Sequence, residues 1–265
     1  MKRHKDSFPV KPLFLSVIIA IIIAVGISIG YMHKVLTTSD YFNVKGIISR
    51  EELSSDFSYL KGRNIFTLDL NGESSNIARK CPDCLRVRLS RVLPDRLFVE
   101  FIRRKPVALV KLYRYFVVDQ YGVFFGSVPN PGSLNLPLVT GLETKLFGIT
   151  FGKKYVTKEL VLVLNIIKEF NKSLLMKGYQ IQKIDVGTAD DITIFIPIGP
   201  NKNGYSQWQV PGKENILEVR ISQGNILEKI AVISGLINQE KYNLGNIKYI
   251  DFRFKEPVIK FKDAK

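Results

Sequence analysis

Leu13-Phe14-Leu15-Ser16-Val17-Ile18-Ile19-Ala20-Ile21-Ile22-Ile23-Ala24-Val25-Gly26-Ile27-Ser28-Ile29-Gly30-Tyr31 is an uncharged run of 19 residues, and about 230 residues follow it without a second such run. At about 1.5 Å per residue the run spans roughly 28 Å as a helix, enough for a hydrocarbon core of about 30 Å. A helix buried in a soluble protein is seldom apolar on every side over that length. The sequence therefore predicts a bitopic chain with a short tail at 1–12, a transmembrane helix at 13–32 and one large part beyond it. Lys2, Arg3, Lys5 and Lys11 precede the run, whereas only Lys34 follows closely, with Asp40 soon after. The positive-inside bias places the N-terminus in the cytoplasm and the bulk of the chain outside. A cleaved signal peptide is the competing reading. Its apolar core would be shorter, about 7–15 residues, and would end at a small-x-small site. Here the run leaves through Gly30-Tyr31-Met32-His33, so an uncleaved signal anchor is expected.

The net charge is +15, yet charged residues make up only 24% and apolar residues 46%, which is a folded composition with a basic surface. About 230 residues allow one large domain or two ordinary ones. The charge suits anionic surroundings such as lipid head groups, wall polymers or an acidic partner, and an exterior location argues against nucleic acid. Histidine gives the sharpest exclusion. Only His4 and His33 exist, and both lie at the membrane ends. The outer part therefore lacks Ser-His-Asp and Cys-His catalysis, His-based zinc sites and the commonest general base. Cys81-Pro82-Asp83-Cys84 is the other constellation. Such a pair can be redox-active, half of a zinc site or a local disulfide. No further Cys or His completes a tetrahedral set within the chain. A thioredoxin-like pair opens a helix after a strand, whereas this one closes an expected helix and opens a strand. The reading adopted is structural, free or disulfide-bonded. Ser58-Tyr59-Leu60-Lys61 has the Ser-x-x-Lys spacing of penicillin-binding enzymes, but their Ser-Asp-Asn and Lys-Thr-Gly elements are missing. No phosphate-cradling GxxxxGK[ST] or GxGxxG occurs. No catalytic residue, cofactor or metal is expected, and the chain is read as no enzyme.

Along the outer part, Tyr41 to Ile47 is expected as a strand. Ser49-Arg50-Glu51-Glu52 has the form of a capping box for a helix from Ser49 to about Tyr59. Asn71 is the expected cap of a second helix through about Lys80. Leu85, Val87 and Leu89 then alternate with Arg86, Arg88 and Ser90. A turn at Arg91–Asp95 returns the chain through Arg96 to Ile102, giving β-α-α-β-β. The Arg86, Arg88 and Arg91 row is read as a solvated face. From Pro106 onward, strands are expected at Val107–Lys111, Tyr115–Val118 and Val123–Phe125, with a hairpin turn at Asp119-Gln120-Tyr121-Gly122 that makes Asp119 a turn residue. Leu136 to Gly141 reads as a short edge segment and Val156 to Met176 as a helix. Strands are expected at Ile181–Val186, Ile192–Ile198 and Ile216–Ile221, a loop at Gly199 to Gly212, a helix at Ile226–Asn238 and a last strand at Ile247–Phe254, followed by a basic tail.

The βααββ unit beside one N-terminal anchor resembles a POTRA domain, and seven short motifs narrow the likeness. Val44-Lys45-Gly46 looks like Val-x-Gly. Arg63 to Leu70 (RNIFTLDL) resembles Gly-x-Asn-Ile-Phe-x-Leu-Asp, and Arg91 to Leu97 resembles Arg-x-x-Pro-x-x-Leu. Arg104-Lys105-Pro106-Val107-Ala108 and Val118 to Phe124 look like Glu-Arg-x-Pro-x-Ala and Val-Asp-x-x-Gly-x-Phe. Leu136 to Gly141 and Ile250-Asp251-Phe252-Arg253-Phe254 resemble Leu-Pro-x-Leu-x-Gly and Ile-Asp-Leu-Arg-Tyr. Together, in this order, they resemble the bacterial cell-division family FtsQ, also called DivIB. Arg103 stands where the family has Glu, Phe254 where Tyr is common, and neither the Cys-x-x-Cys nor the 199–214 loop is a family mark.

The resemblance implies an α+β chain with a POTRA domain at 38–106, a second mixed α/β domain at 107–256 whose antiparallel sheet ends in an exposed edge strand, and a basic tail at 257–265. It implies a non-enzymatic scaffold of the inner membrane and division septum. Such a scaffold holds FtsB-like and FtsL-like proteins outside the membrane, meets other divisome components through the POTRA part and links them to septal wall synthesis. The partner would add a strand to the last strand, with contacts expected from Arg253, Phe254 and Glu256. Pro257 lacks the N–H a ladder needs, so pairing should weaken or shift there. Alternation leaves one of Phe252 and Phe254 in the core and the other exposed. A membrane-anchored POTRA adaptor for export or envelope assembly is the alternative.

Overall fold

The computed structural model describes residues 10–51, 57–173, 176, 178–198, 216–238 and 244–262. The chain divides into two units, residues 1–77 with 86–102 and residues 78–85 with 103–265. This is the mixed α/β class expected, with one apolar helix at the start.

In the first unit, α1 (Val10–Thr38) is long and apolar enough to cross a membrane, and its most apolar stretch is nowhere buried against protein. It ends in a side-chain clamp. Asn64 Nδ2 donates to the carbonyls of Leu36 at 2.9 Å and Ser39 at 3.3 Å, and Asn64 Oδ1 accepts the Phe66 N–H at 2.9 Å. The Leu36 carbonyl is one that the helix end leaves without an internal partner, while that of Ser39 also accepts the Phe42 N–H at 3.2 Å. A three-residue 3-10 turn follows at Asp40–Phe42, where a strand was expected, and the strand itself, β1 (Gly46–Ser49), begins later. Ser49 thus belongs to β1 rather than to a helix, although its Oγ does accept the Glu51 N–H at 3.3 Å. Residues 52–56 of the helix expected at 49–59 lie outside the described residues, and Ser58–Leu60 forms a 3-10 turn.

Asp69, not Asn71, caps α2 (Leu70–Arg79): its Oδ1 accepts the N–H groups of Asn71 and Gly72, each at 3.1 Å. β2 (Cys84–Val92) and β3 (Arg96–Arg103) complete a three-stranded sheet in the order β1-β3-β2, with β1 parallel to β3. Val87 and Leu89 of β2 and Leu97 and Val99 of β3 are buried, while Leu85 is exposed. The arginine row is partly structural. Arg91 donates from Nε to the Ile65 carbonyl at 2.6 Å and from Nη2 to that of Leu68 at 3.0 Å. Arg88 pairs with Glu100 at 3.3 Å. Arg91 is thereby a clamp on the loop that carries Asn64.

The second unit is built on a nine-stranded sheet in the order β12-β11-β10-β9-β8-β7-β4-β5-β6. Its strands are β4 (Ala108–Lys111), β5 (Tyr115–Val118), β6 (Phe124–Val128), β7 (Leu138–Thr140), β8 (Lys183–Thr188), β9 (Asp191–Pro197), β10 (Ile216–Ile221), β11 (Ile247–Phe252) and β12 (Val258–Phe261). Two helices, α3 (Lys158–Lys172) and α4 (Ile226–Asn238), join parallel neighbours: β7-α3-β8 and β10-α4-β11. In α3, Leu160, Val163, Leu164 and Ile167 recur at helical spacing and are buried with Ile184, Ile194 and Val219 from the strands. A smaller cluster of Leu109, Val117 and Leu138 is separate from this core.

β7 is not an edge. It lies between β8 and β4, parallel to both, because α3 carries the chain back to a neighbouring parallel position. The glycine that closes its motif is required by a close approach: Gly141 has φ +89, and a Cβ there would sit 2.1 Å from the Val186 carbonyl. The loop expected at 199–212 lies outside the described residues.

Candidate partner-binding edge

The last strand was expected to run to Phe254 and to be followed by a tail. The structure instead ends β11 at Phe252, turns through residues 253–256 and returns antiparallel as β12. The register Ile250↔Ile259 and Asp251↔Val258 starts immediately after Pro257, whose missing N–H keeps it out of the ladder. The sheet's open edge is therefore β12. Among the described residues no further strand pairs with it.

The chemistry of the turn follows from one buried aspartate. Asp251, 3% exposed, accepts the Arg253 N–H at 3.0 Å and the Arg253 guanidinium, from Nε to Oδ1 at 3.0 Å and from Nη2 to Oδ2 at 2.7 Å. Arg253 Nη1 reaches across to Asp191 at 2.9 Å. Hydrogen bonds from Arg253 hold the Asp251 carboxyl below the usual range despite its burial, and the same bonds raise the pKa of Arg253. The three predicted contact residues come together on this turn in different roles. Arg253 is committed to the two aspartates. Phe254, 63% exposed, points away from the core that holds Phe252, 4% exposed, and Glu256 is exposed. On β12, Ile259 packs against the core while Val258, Lys260 and Phe261 are exposed. Sequence reasoning missed these four, although Val258-Ile259-Lys260-Phe261 after a proline is a strand-like signal. Beside the edge, the Arg220 guanidinium stacks on Tyr249 at 4.3 Å and pairs with Glu218 at 2.7 Å.

At the other end of the sheet, Asp119 is a turn residue as expected. Its Oδ1 accepts the N–H groups of Tyr121 and Val123, each at 2.9 Å, and Oδ2 pairs with Arg104 at 2.6 Å. Ser58 opens the 3-10 turn and Lys61 caps its end, with the Lys61 N–H donating to the Ser58 carbonyl at 3.0 Å. Cys81 and Cys84 are joined as a disulfide. With Asp83 they form a group whose ligand-type atoms lie within 4.8 Å of one another, but the S–S bond leaves neither sulfur a thiolate donor.

The family "Cell division protein FtsQ/DivIB, C-terminal" matches residues 108–253, over half of the chain. The chain is 26% identical over 255 residues to a protein of Syntrophotalea carbinolica named cell division protein FtsQ, covering 93% of this chain and 82% of that one. It is 22% identical over 249 residues to the FtsQ of Geotalea daltonii, covering 91% and 83%. It is 30% identical over 108 residues to the cell division protein DivIB of Clostridium acetobutylicum, covering 40% and 43%.

Proposed function

Because this chain belongs to the FtsQ/DivIB family of cell division proteins, we propose that it serves as a membrane-anchored, non-enzymatic scaffold of the division machinery. α1 anchors it, with the N-terminal tail in the cytoplasm and the chain beyond α1 outside, as the distribution of Lys and Arg about α1 favours. It gathers FtsB-like and FtsL-like proteins at the septum and links them to wall synthesis.

The observation that carries the partner reading is the open β12 edge beside an exposed aromatic. An added strand takes its affinity from backbone groups along β12 and its selectivity from alternate side chains. Phe254 and Glu256 flank the incoming segment. Arg253 holds the turn through Asp251, and its Nε, Nη1 and Nη2 each donate one bond within the protein. A guanidinium has five N–H donors, so two remain for a partner.

Titration of the full chain with an FtsB-like segment tests this. Phe254→Asp is expected to weaken binding at least tenfold, since an exposed aromatic anchor at an interface commonly contributes about 2 kcal/mol or more. Unchanged affinity would remove Phe254 from the contact. An N-terminal fluorescent fusion tests the wider role: a mid-cell band before constriction supports it, and a uniform envelope signal rejects it.

A further inference from the structure

The Cys81–Cys84 pair plays no part in the partner edge, and its surroundings differ from those of an inert staple. We propose that it is a thiol–disulfide exchange site whose co-reactant is a protein dithiol with an acidic surface around its thiols. This does not depend on the scaffold reading.

Three observations carry it. First, the local backbone holds its shape without the S–S bond. The Cys84 N–H donates to the Cys81 carbonyl at 3.0 Å and the Cys81 N–H to the Ala78 carbonyl at 3.2 Å. Arg104 fastens the loop from outside, through its N–H to the Asp83 carbonyl at 2.8 Å and its Nε to the Pro82 carbonyl at 3.0 Å. A ring this small also restricts the unfolded chain little. Opening the bond therefore leaves the loop in place.

Second, a cation sits on both sulfurs. Arg103 Nη1 lies 3.7 Å from Cys81 Sγ and 3.9 Å from Cys84 Sγ. A fixed positive charge at that range favours a thiolate, which is the form that attacks and leaves in exchange. The Asp83 carboxylate, which pairs with Arg103 and lies 3.1 Å from Cys81 Sγ, opposes this, as does the C-terminal end of α2 just before the pair. Arg103 is the group that offsets them.

Third, the pair is reachable. Cys81 is half-buried, and both cysteines line a cleft of about 410 Å³ with Arg79, Arg104, Phe151 and Lys153. The charge of Arg104 is met by buried Asp119, and the two remaining cations of the wall, Arg79 and Lys153, favour an acidic visitor.

The chemistry balances as follows. A partner thiolate attacks Cys81 Sγ, a mixed disulfide forms, the Cys81–Cys84 bond breaks, and Cys84, 3% exposed, leaves as a thiolate beside Arg103. The second partner thiol, once deprotonated, displaces Cys81. Two electrons and two protons pass to the pair, and the partner becomes the disulfide. The reverse sequence re-forms the bond.

The test uses the full chain in detergent at neutral pH. Dithiothreitol is the dithiol, glutathione the monothiol, and alkylation followed by mass measurement counts open thiols. Reduction by the dithiol under conditions that leave the fold intact is expected, faster than by the monothiol. Arg103→Gln should slow it several-fold, Arg103→Lys should restore much of the rate, and Asp83→Asn should speed it. Absence of alkylation until the protein unfolds overturns the proposal. So does a wild-type rate in Arg103→Gln, or uptake of Zn²⁺ by the reduced pair in preference to reoxidation.

Discussion

The two ends of the nine-stranded sheet use the same device and finish differently. Each has a buried aspartate paired with an arginine: Asp119 with Arg104 near β6, and Asp251 with Arg253 near β12. At the β6 end the guanidinium is itself largely buried, and the chain returns to cover the start of the edge strand. The Gly152 N–H donates to the Phe124 carbonyl at 2.8 Å, the Tyr155 N–H donates to that of Gly122 at 2.9 Å, and Val123 and Lys154 form a bridge. At the β12 end the guanidinium faces solvent and nothing described covers the strand. One end is partly closed and the other is bare, with the aggregation risk any bare edge carries.

The largest expected effect separates the two pairs. Asp119→Ala strands Arg104 in a protein interior and removes the acceptor of two N–H groups. It should destabilise the second unit by about 3–5 kcal/mol in urea unfolding. A loss below about 1 kcal/mol would mean that the closed end is not where stability is concentrated. Asp251→Asn should cost less, about 1.5–3 kcal/mol, because Arg253 can rehydrate and keeps Asp191.

That second loss should depend on pH. The folded pKa of Asp251 is depressed, so its contribution is fully present above the unfolded value of about 3.9 and disappears as pH falls through the folded value. The stability gap between wild type and Asp251→Asn should therefore be flat from neutrality to about pH 4 and close below it. A gap that widened in acid would contradict the hydrogen-bond account.

Opening the four-residue ring at Cys81 and Cys84 by a double Ser replacement should lower stability by no more than about 2 kcal/mol on the chain-entropy scale. A larger loss would make the disulfide part of what closes that end. The smallest stability effect is expected at the open end, where Phe254→Ala should stay within about 0.5 kcal/mol of wild type while partner affinity falls.

The sequence located β5, β10 and α4 residue for residue: every second residue of β10 is buried, Ile230, Ile233 and Ile237 of α4 recur at helical spacing, and β5, buried at three of its four positions, is bounded by the turn at Asp119. It could not say who pairs with whom. Leu138–Thr140 reads as a strand in isolation, and only the α3 crossover places it mid-sheet. β12 was hidden for the opposite reason: four residues, one of them Lys260, in a stretch read as tail become a strand only against β11. Asn71 is as good a cap as Asp69 by residue type, and only the position of the Asp69 Oδ1 ahead of α2 decides between them. Arg91 looked like one of a solvated row because its acceptors, Ile65 O and Leu68 O, lie more than twenty residues away. The turn at 253–256 was half legible: Phe252 and Phe254 divide by alternation, but the commitment of Arg253 to two aspartates needs the third dimension.

The amide of Asn64 has a mechanical consequence. Bonded to Leu36 O and Ser39 O, it converts the end of α1 and the motif loop into a single lever. A membrane helix changes its tilt when bilayer thickness changes. With the clamp closed, such a tilt swings the loop held by Arg91 along with the helix instead of being absorbed in a slack tether. Replacing Asn64 would restore the slack, leaving the anchor in the membrane but uncoupling its angle from the unit it carries.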